Sequence, residues 1–136
     1  MKSVTLPSGT PTDKDIVEGN KLIALFLGWE YDPNDEVFEN GTWSRGDGTL
    51  EVDLLFDSSW DELMPVVEKI ENLKEGNSYL YSFEMGKDWC VITTNDFDPK
   101  PVIMKSQANN KIISVWQAIV SFITWHNSLT NKTDKP

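Results

Sequence analysis

The run from Lys111 to about Asn127 constrains this chain most. Laid on a helix at ~100° per residue, its polar side chains Ser114, Gln117, Ser121, Thr124 and Ser128 occupy roughly 80° of arc. Ile112, Ile113, Val115, Trp116, Ala118, Ile119, Val120, Phe122, Ile123 and Trp125 cover most of the rest. A helix resting on one sheet needs an apolar stripe of only about 100°. This helix must therefore be enclosed on several sides, and Asn110 supplies its N-cap. Two arrangements meet that demand. The helix can be central to its own domain, or the domain can leave Ala118, Phe122 and Trp125 on one exposed stripe. Such a stripe marks an interface, and a two-fold homodimer satisfies it with its own copy.

The rest of the chain supplies a sheet and two more helices. Thr12 or Asp13 caps a first helix over 13–28, with Ile16, Asn20, Ile23 and Leu27 at helical spacing and Gly28 as its stop. Asp32 to Asp35 reads as a turn, and Val37 to Ser44 as a hairpin around Asn40-Gly41. Thr49 to Phe56 alternates, with Leu50, Val52, Leu54 and Phe56 on one side. Ser58 and Ser59 precede Asp61 and Glu62 as overlapping capping boxes. Trp60, Leu63, Met64, Val67, Ile70 and Leu73 then trace a second helix, with Pro65 predicting a kink. A second hairpin, Ser78–Met85 with Trp89–Thr94, turns at Gly86-Lys87-Asp88. Val102 to Lys105 is a short strand. The predicted fold is α+β, with an antiparallel sheet of four to six strands and three helices arranged as an α/β/α sandwich. Residues 1–11 read as a flexible arm, 12–129 as one domain and 130–136 as a polar tail.

At 136 residues, with 39% hydrophobic and 25% charged side chains, the chain can bury a core of its own. No apolar run approaches the ~20 residues of a membrane helix. The start, Met1 to Asp15, lacks the apolar stretch of a secretory signal. A single cysteine, Cys90, makes no internal disulfide. These features predict a cytoplasmic protein with no membrane contact.

The formal charge of -10 is concentrated. Residues 30–62 hold Glu30, Asp32, Asp35, Glu36, Glu39, Asp47, Glu51, Asp53, Asp57, Asp61 and Glu62 against Arg45 alone. Such a surface repels phosphate backbones, which argues against direct nucleic-acid binding, and it suits a basic protein or a cation. Solubility alone is the other reason a small domain carries acids.

Three patches carry a resemblance: Glu18-Gly19-Asn20-Lys21-Leu22-Ile23-Ala24 running to Gly28-Trp29; Ser58-Ser59-Trp60-Asp61-Glu62-Leu63-Met64-Pro65-Val66-Val67-Glu68-Lys69-Ile70-Glu71; and Trp116 through Asn127. Together they resemble small uncharacterised open reading frames of bacteriophage and prophage genomes. The layout is also similar to the phage ABA-sandwich domain, a sheet between helices. The resemblance spans residues 18–127. It implies a fold and a phage-type origin and brings no catalytic residue with it. Those proteins often end in Trp-Tyr-Asn where this chain has Trp125-His126-Asn127.

Candidates for chemistry are few. His126, the only histidine, would suit a helix C-terminus or, beside a carboxylate, a general base. Cys90 between Trp89 and Val91 reads as a buried inert thiol unless a base lowers its pKa. Asp88 with Asp96 and Asp98, or Glu51, Asp53 and Asp57, are oxygen-rich groups of the kind that hold Mg²⁺ or Ca²⁺, without the spacing of a calcium loop. No phosphate loop or nucleophile elbow is present. Trp60, Trp116 and Trp125 lie on apolar helical stripes and read as core. Trp29, Trp43 and Trp89 lie in or beside strands and turns, as core or as stacking surfaces.

The expected function is a non-enzymatic phage- or prophage-type accessory protein that binds a host or phage component and needs no cofactor. Its binding surface would be Trp29, Glu36, Glu39, Trp43, Glu51 and Asp53. One alternative is a protein that sequesters a small molecule such as a nucleotide signal, although an anionic ligand wants more than one Arg. The other is a metal-dependent enzyme built on the acid groups.

Overall fold

The computed structural model describes residues 4–5, 11–33, 42–45, 50–51, 54–95 and 102–134. In chain order its elements are β1 (Val4–Thr5), α1 (Asp13–Phe26), β2 (Glu30–Asp32), β3 (Thr42–Ser44), β4 (Leu50–Glu51), α2 (Trp60–Glu71), β5 (Lys74–Glu75), β6 (Ser78–Tyr79), β7 (Tyr81–Met85), β8 (Trp89–Thr94), β9 (Val102–Gln107) and α3 (Lys111–Asp134). The class is α+β, with three helices among the described residues.

The main sheet runs β1-β9-β8-β7. β7, β8 and β9 are antiparallel neighbours, with Phe83 opposite Ile92 and Ile92 opposite Met104. β1 joins β9 in parallel, Val4 opposite Met104. Val4 and Thr5 lie within the stretch read as an arm, and a two-residue strand is too short to leave a periodic signal. β2-β3-β4 and β5-β6 form two smaller antiparallel sheets. Thr42–Ser44 pairs with Glu30–Asp32, and the expected Asn40-Gly41 turn lies outside the described residues. So do Val52 and Asp53 of the expected 49–56 strand. Leu50 and Glu51 are extended, and Leu54 and Leu55 have already left the sheet.

α1 begins with a capping box between Thr12 and Asp15. It ends as a Schellman motif: Gly28 at φ +85 lets its own N–H reach the Leu25 carbonyl, and Trp29 N–H returns to Ala24. α2 has Ser59 at its N-cap, but no side chain caps it, which corrects the predicted capping boxes. Its entry is instead a turn in which Ser58 and Ser59 N–H groups both donate to the Leu55 carbonyl. Pro65 sits inside α2 on its exposed side, where water can serve the carbonyl that proline leaves without a donor. α3 is capped as expected by Asn110, whose side chain accepts from Ile113 N–H at 3.0 Å. It runs to Asp134, past the tail predicted from Thr130, because no breaker interrupts it before Pro136.

α3 is the central element. It packs on β8 and β9, and α1 and α2 both pack on it. Val115, Ala118, Ile119, Phe122 and Ile123 have no exposed surface, and the polar Ser114, Gln117 and Ser121 are buried too. Ser106 of β9 donates to the Ser114 carbonyl, joining sheet to helix. Cys90, Ile92, Met104 and Ser106 face this layer. Glu84, Trp89, Lys105 and Gln107, on the alternate positions, are exposed. Thr93, at one of the same alternate positions, is buried and Val91 is half-buried, so this second face is exposed only in part. Three of the four exposed positions carry polar side chains, as a solvated sheet surface requires.

Candidate binding surface

The site residues expected from the sequence fall into three groups. Glu36, Glu39 and Asp53 lie outside the described residues, as do Asp96 and Asp98 of the acid groups. Glu51 is in β4, where Trp43 is its pairing partner. Trp29 and Trp43 are buried, at 8% and 5% exposure, which corrects their assignment to an outward surface. The Schellman turn folds Trp29 back beside Ala24, where its ring meets Phe56 at 5.4 Å. Tyr31, opposite Trp43 across the β2–β3 pair, lies over that ring at 4.9 Å and takes the exposed position itself.

Two of the three residues of the proposed self-association stripe are likewise internal. Ala118 and Phe122 are fully buried within one chain. Phe122 is surrounded by Tyr81 at 4.8 Å, Trp125 at 5.7 Å and His126 at 5.6 Å. Among the described residues, the chain's own sheet and helices cover Ala118 and Phe122 completely and leave Trp125 half-buried.

His126 is half-buried and stacked on Phe122. Cys90 is fully buried, and burial pushes its thiol from 9.0 up to about 12. Desolvation disfavours the thiolate, the form a nucleophile needs. Among the described residues no three His, Cys, Asp or Glu side chains gather as metal ligands, and no helix is long and apolar enough to cross a membrane.

Two features were missed in the sequence. One is a buried polar hub at Asn20, which is 4% exposed. Its amide donates to the Leu54 carbonyl at 3.0 Å and to Asp57 Oδ1 at 2.9 Å, and its Oδ1 accepts from Trp116 Nε1 at 2.8 Å. Gly19 beside it allows the approach, since a Cβ there would fall 2.4 Å from the Trp116 ring. The hub fixes α1, α3 and the 54–57 turn to one another. An asparagine inside an apolar helical stripe was its signal.

The other is Arg45. Its Nη2 bridges to Glu62 Oε2 at 3.2 Å, and its guanidinium lies 4.7 Å over the Trp29 ring. It ties the end of β3 to α2 and to the turn that follows α1. Comparison with protein-family models, curated proteins and solved structures finds no match.

Proposed function

We propose that this chain is a non-enzymatic accessory protein of phage or prophage type that works by binding a basic protein of the host or of the phage. The phage assignment rests on the resemblance of the three patches. The binding reading rests on one observation, the engagement of Arg45. Residues 30–62 contain no other base, and Arg45 is held by Glu62 and stacked on Trp29. The stretch has no second base to offset its remaining acids. Such a surface attracts cationic proteins, speeds their encounter and loses that advantage as salt rises. The buried Cys90 and the stacked His126 fit this reading, as both side chains serve packing.

The test is affinity capture from a bacterial host lysate at low salt, with elution by rising salt and identification by mass spectrometry. A basic protein should be retained, released by salt, and lost when exposed Glu30 and Asp61 are both changed to Lys. Retention of acidic proteins only, or binding indifferent to both salt and charge reversal, contradicts the proposal.

A further inference from the structure

We infer that the docking surface is the Trp60–Met64 flank of α2, and that its occupant is a cationic amphipathic segment of another protein. Apolar side chains of that segment would seat on Trp60 and Met64, and its Lys or Arg side chains would meet Asp61, Glu68 and Glu71. The inference rests on the proposed basic partner and deepens it.

The inner side of α2 is saturated, with Leu63, Val66, Val67 and Ile70 all within 1% of full burial. At ~100° per residue, Trp60 and Met64 lie beside that inner side, one turn apart on a common flank. Each is 37% exposed. Leu55, 48% exposed, stands one turn before them, since Ser59 N–H donates to its carbonyl at 2.9 Å. A tryptophan with a methionine one turn away offers a large rigid anchor beside an adaptable one.

Charge then selects the occupant. Asp61 and Glu68 are exposed and Glu71 is half-buried on the same side of the helix. The one base of α2, Lys69, is turned away, donating to the Phe26 carbonyl at 2.7 Å and lying 4.9 Å over the Phe26 ring. Glu62 points to Arg45. The flank is thus apolar at its centre and acidic at its rim. A second copy would bring acids against acids, and an anionic lipid surface would be repelled. A basic helix with apolar side chains at helical spacing complements both parts.

The probes are two synthetic peptides of about four helical turns. One carries Lys and Leu at amphipathic spacing. The other has every Leu replaced by Ser, at equal charge. ¹⁵N NMR titration of the full chain at physiological salt should shift the Trp60 indole and the amides of α2. The Lys/Leu peptide should bind on the order of tenfold more tightly than Lys/Ser. The double variant Trp60→Ala with Met64→Ala should abolish that preference. It should keep its fold, checked by circular dichroism, because both side chains already meet water. Equal affinity for the two peptides overturns the apolar half of the inference. Shifts confined to Glu30–Asp32 and Thr42–Ser44 overturn the α2 assignment and leave the basic-partner reading standing. No binding of either peptide overturns both.

Discussion

Replacing Asn20 by Ala removes three hydrogen bonds at the junction of α1, α3 and the 54–57 turn. The Trp116 ring is 3% exposed, so its Nε1–H would lose its acceptor with little access to water. A buried unsatisfied donor of that kind costs about 1–3 kcal/mol. Leu54 and Asp57 are half-buried, and water can replace the amide at each, so together they add about 1 kcal/mol. The sum is about 3 kcal/mol, a large share of the ~5–15 kcal/mol that holds a domain together. For a chain of this size it lowers Tm by roughly 10 °C. Urea denaturation followed by far-UV circular dichroism measures it directly. Asn20→Asp sharpens the test. It keeps an oxygen for Trp116 but turns the other against the Leu54 carbonyl and the Asp57 carboxylate. It should be at least as damaging at neutral pH and recover in part when acid protonates the introduced carboxyl. An Asn20→Ala protein within about 1 kcal/mol of the parent would refute the hub.

Gly19→Ala drives a methyl into the Trp116 ring and should cost about 1–3 kcal/mol; Trp116→Phe should relieve part of that cost in a double-mutant cycle. Phe122→Glu buries a charge at a site with no exposed surface and should abolish folding. A folded Phe122→Glu protein that had become monomeric would instead restore the two-fold interface. Cys90 has a folded pKa raised from 9.0 to about 12, so its contribution is fully present below pH 9.0 and is lost as pH rises toward about 12. Stability across that window should fall more steeply in the parent than in Cys90→Ala, and parallel curves would contradict the burial.

The helices were legible because their apolar positions recur at helical spacing, and Asn110 and Gly28 mark two of their ends by side-chain chemistry. The wide apolar arc of α3 was legible too, but not what encloses it, since a central place and a two-fold interface both met the demand. The tryptophans were only partly legible. Trp60 counts as apolar and so joined the α2 stripe, yet it lies at the stripe's edge, and Leu63, Val66, Val67 and Ile70 already fill the inner side. Trp29 and Trp43 follow a helix end and lie in a short strand, places that left core and stacking surface both open. Their burial depends on a chain reversal and on Tyr31, neither of which a local pattern contains. The exposed positions of the main sheet's second face were written in Glu84, Lys105 and Gln107. Seeing them required the register of β7, β8 and β9, which sequence spacing alone does not set.

One experiment reports together on which aromatic surfaces are available to a partner. A soluble paramagnetic agent broadens the side-chain proton signals of tryptophans in contact with water. Trp60 and Trp89, at 37% and 40% exposure, should be broadened, while Trp29, Trp43 and Trp116 should be protected. Adding the Lys/Leu peptide should then protect Trp60 and leave Trp89 unchanged. Broadening of Trp29 and Trp43 as strong as that of Trp60 would contradict the account and return the binding surface to the β2–β3 ribbon.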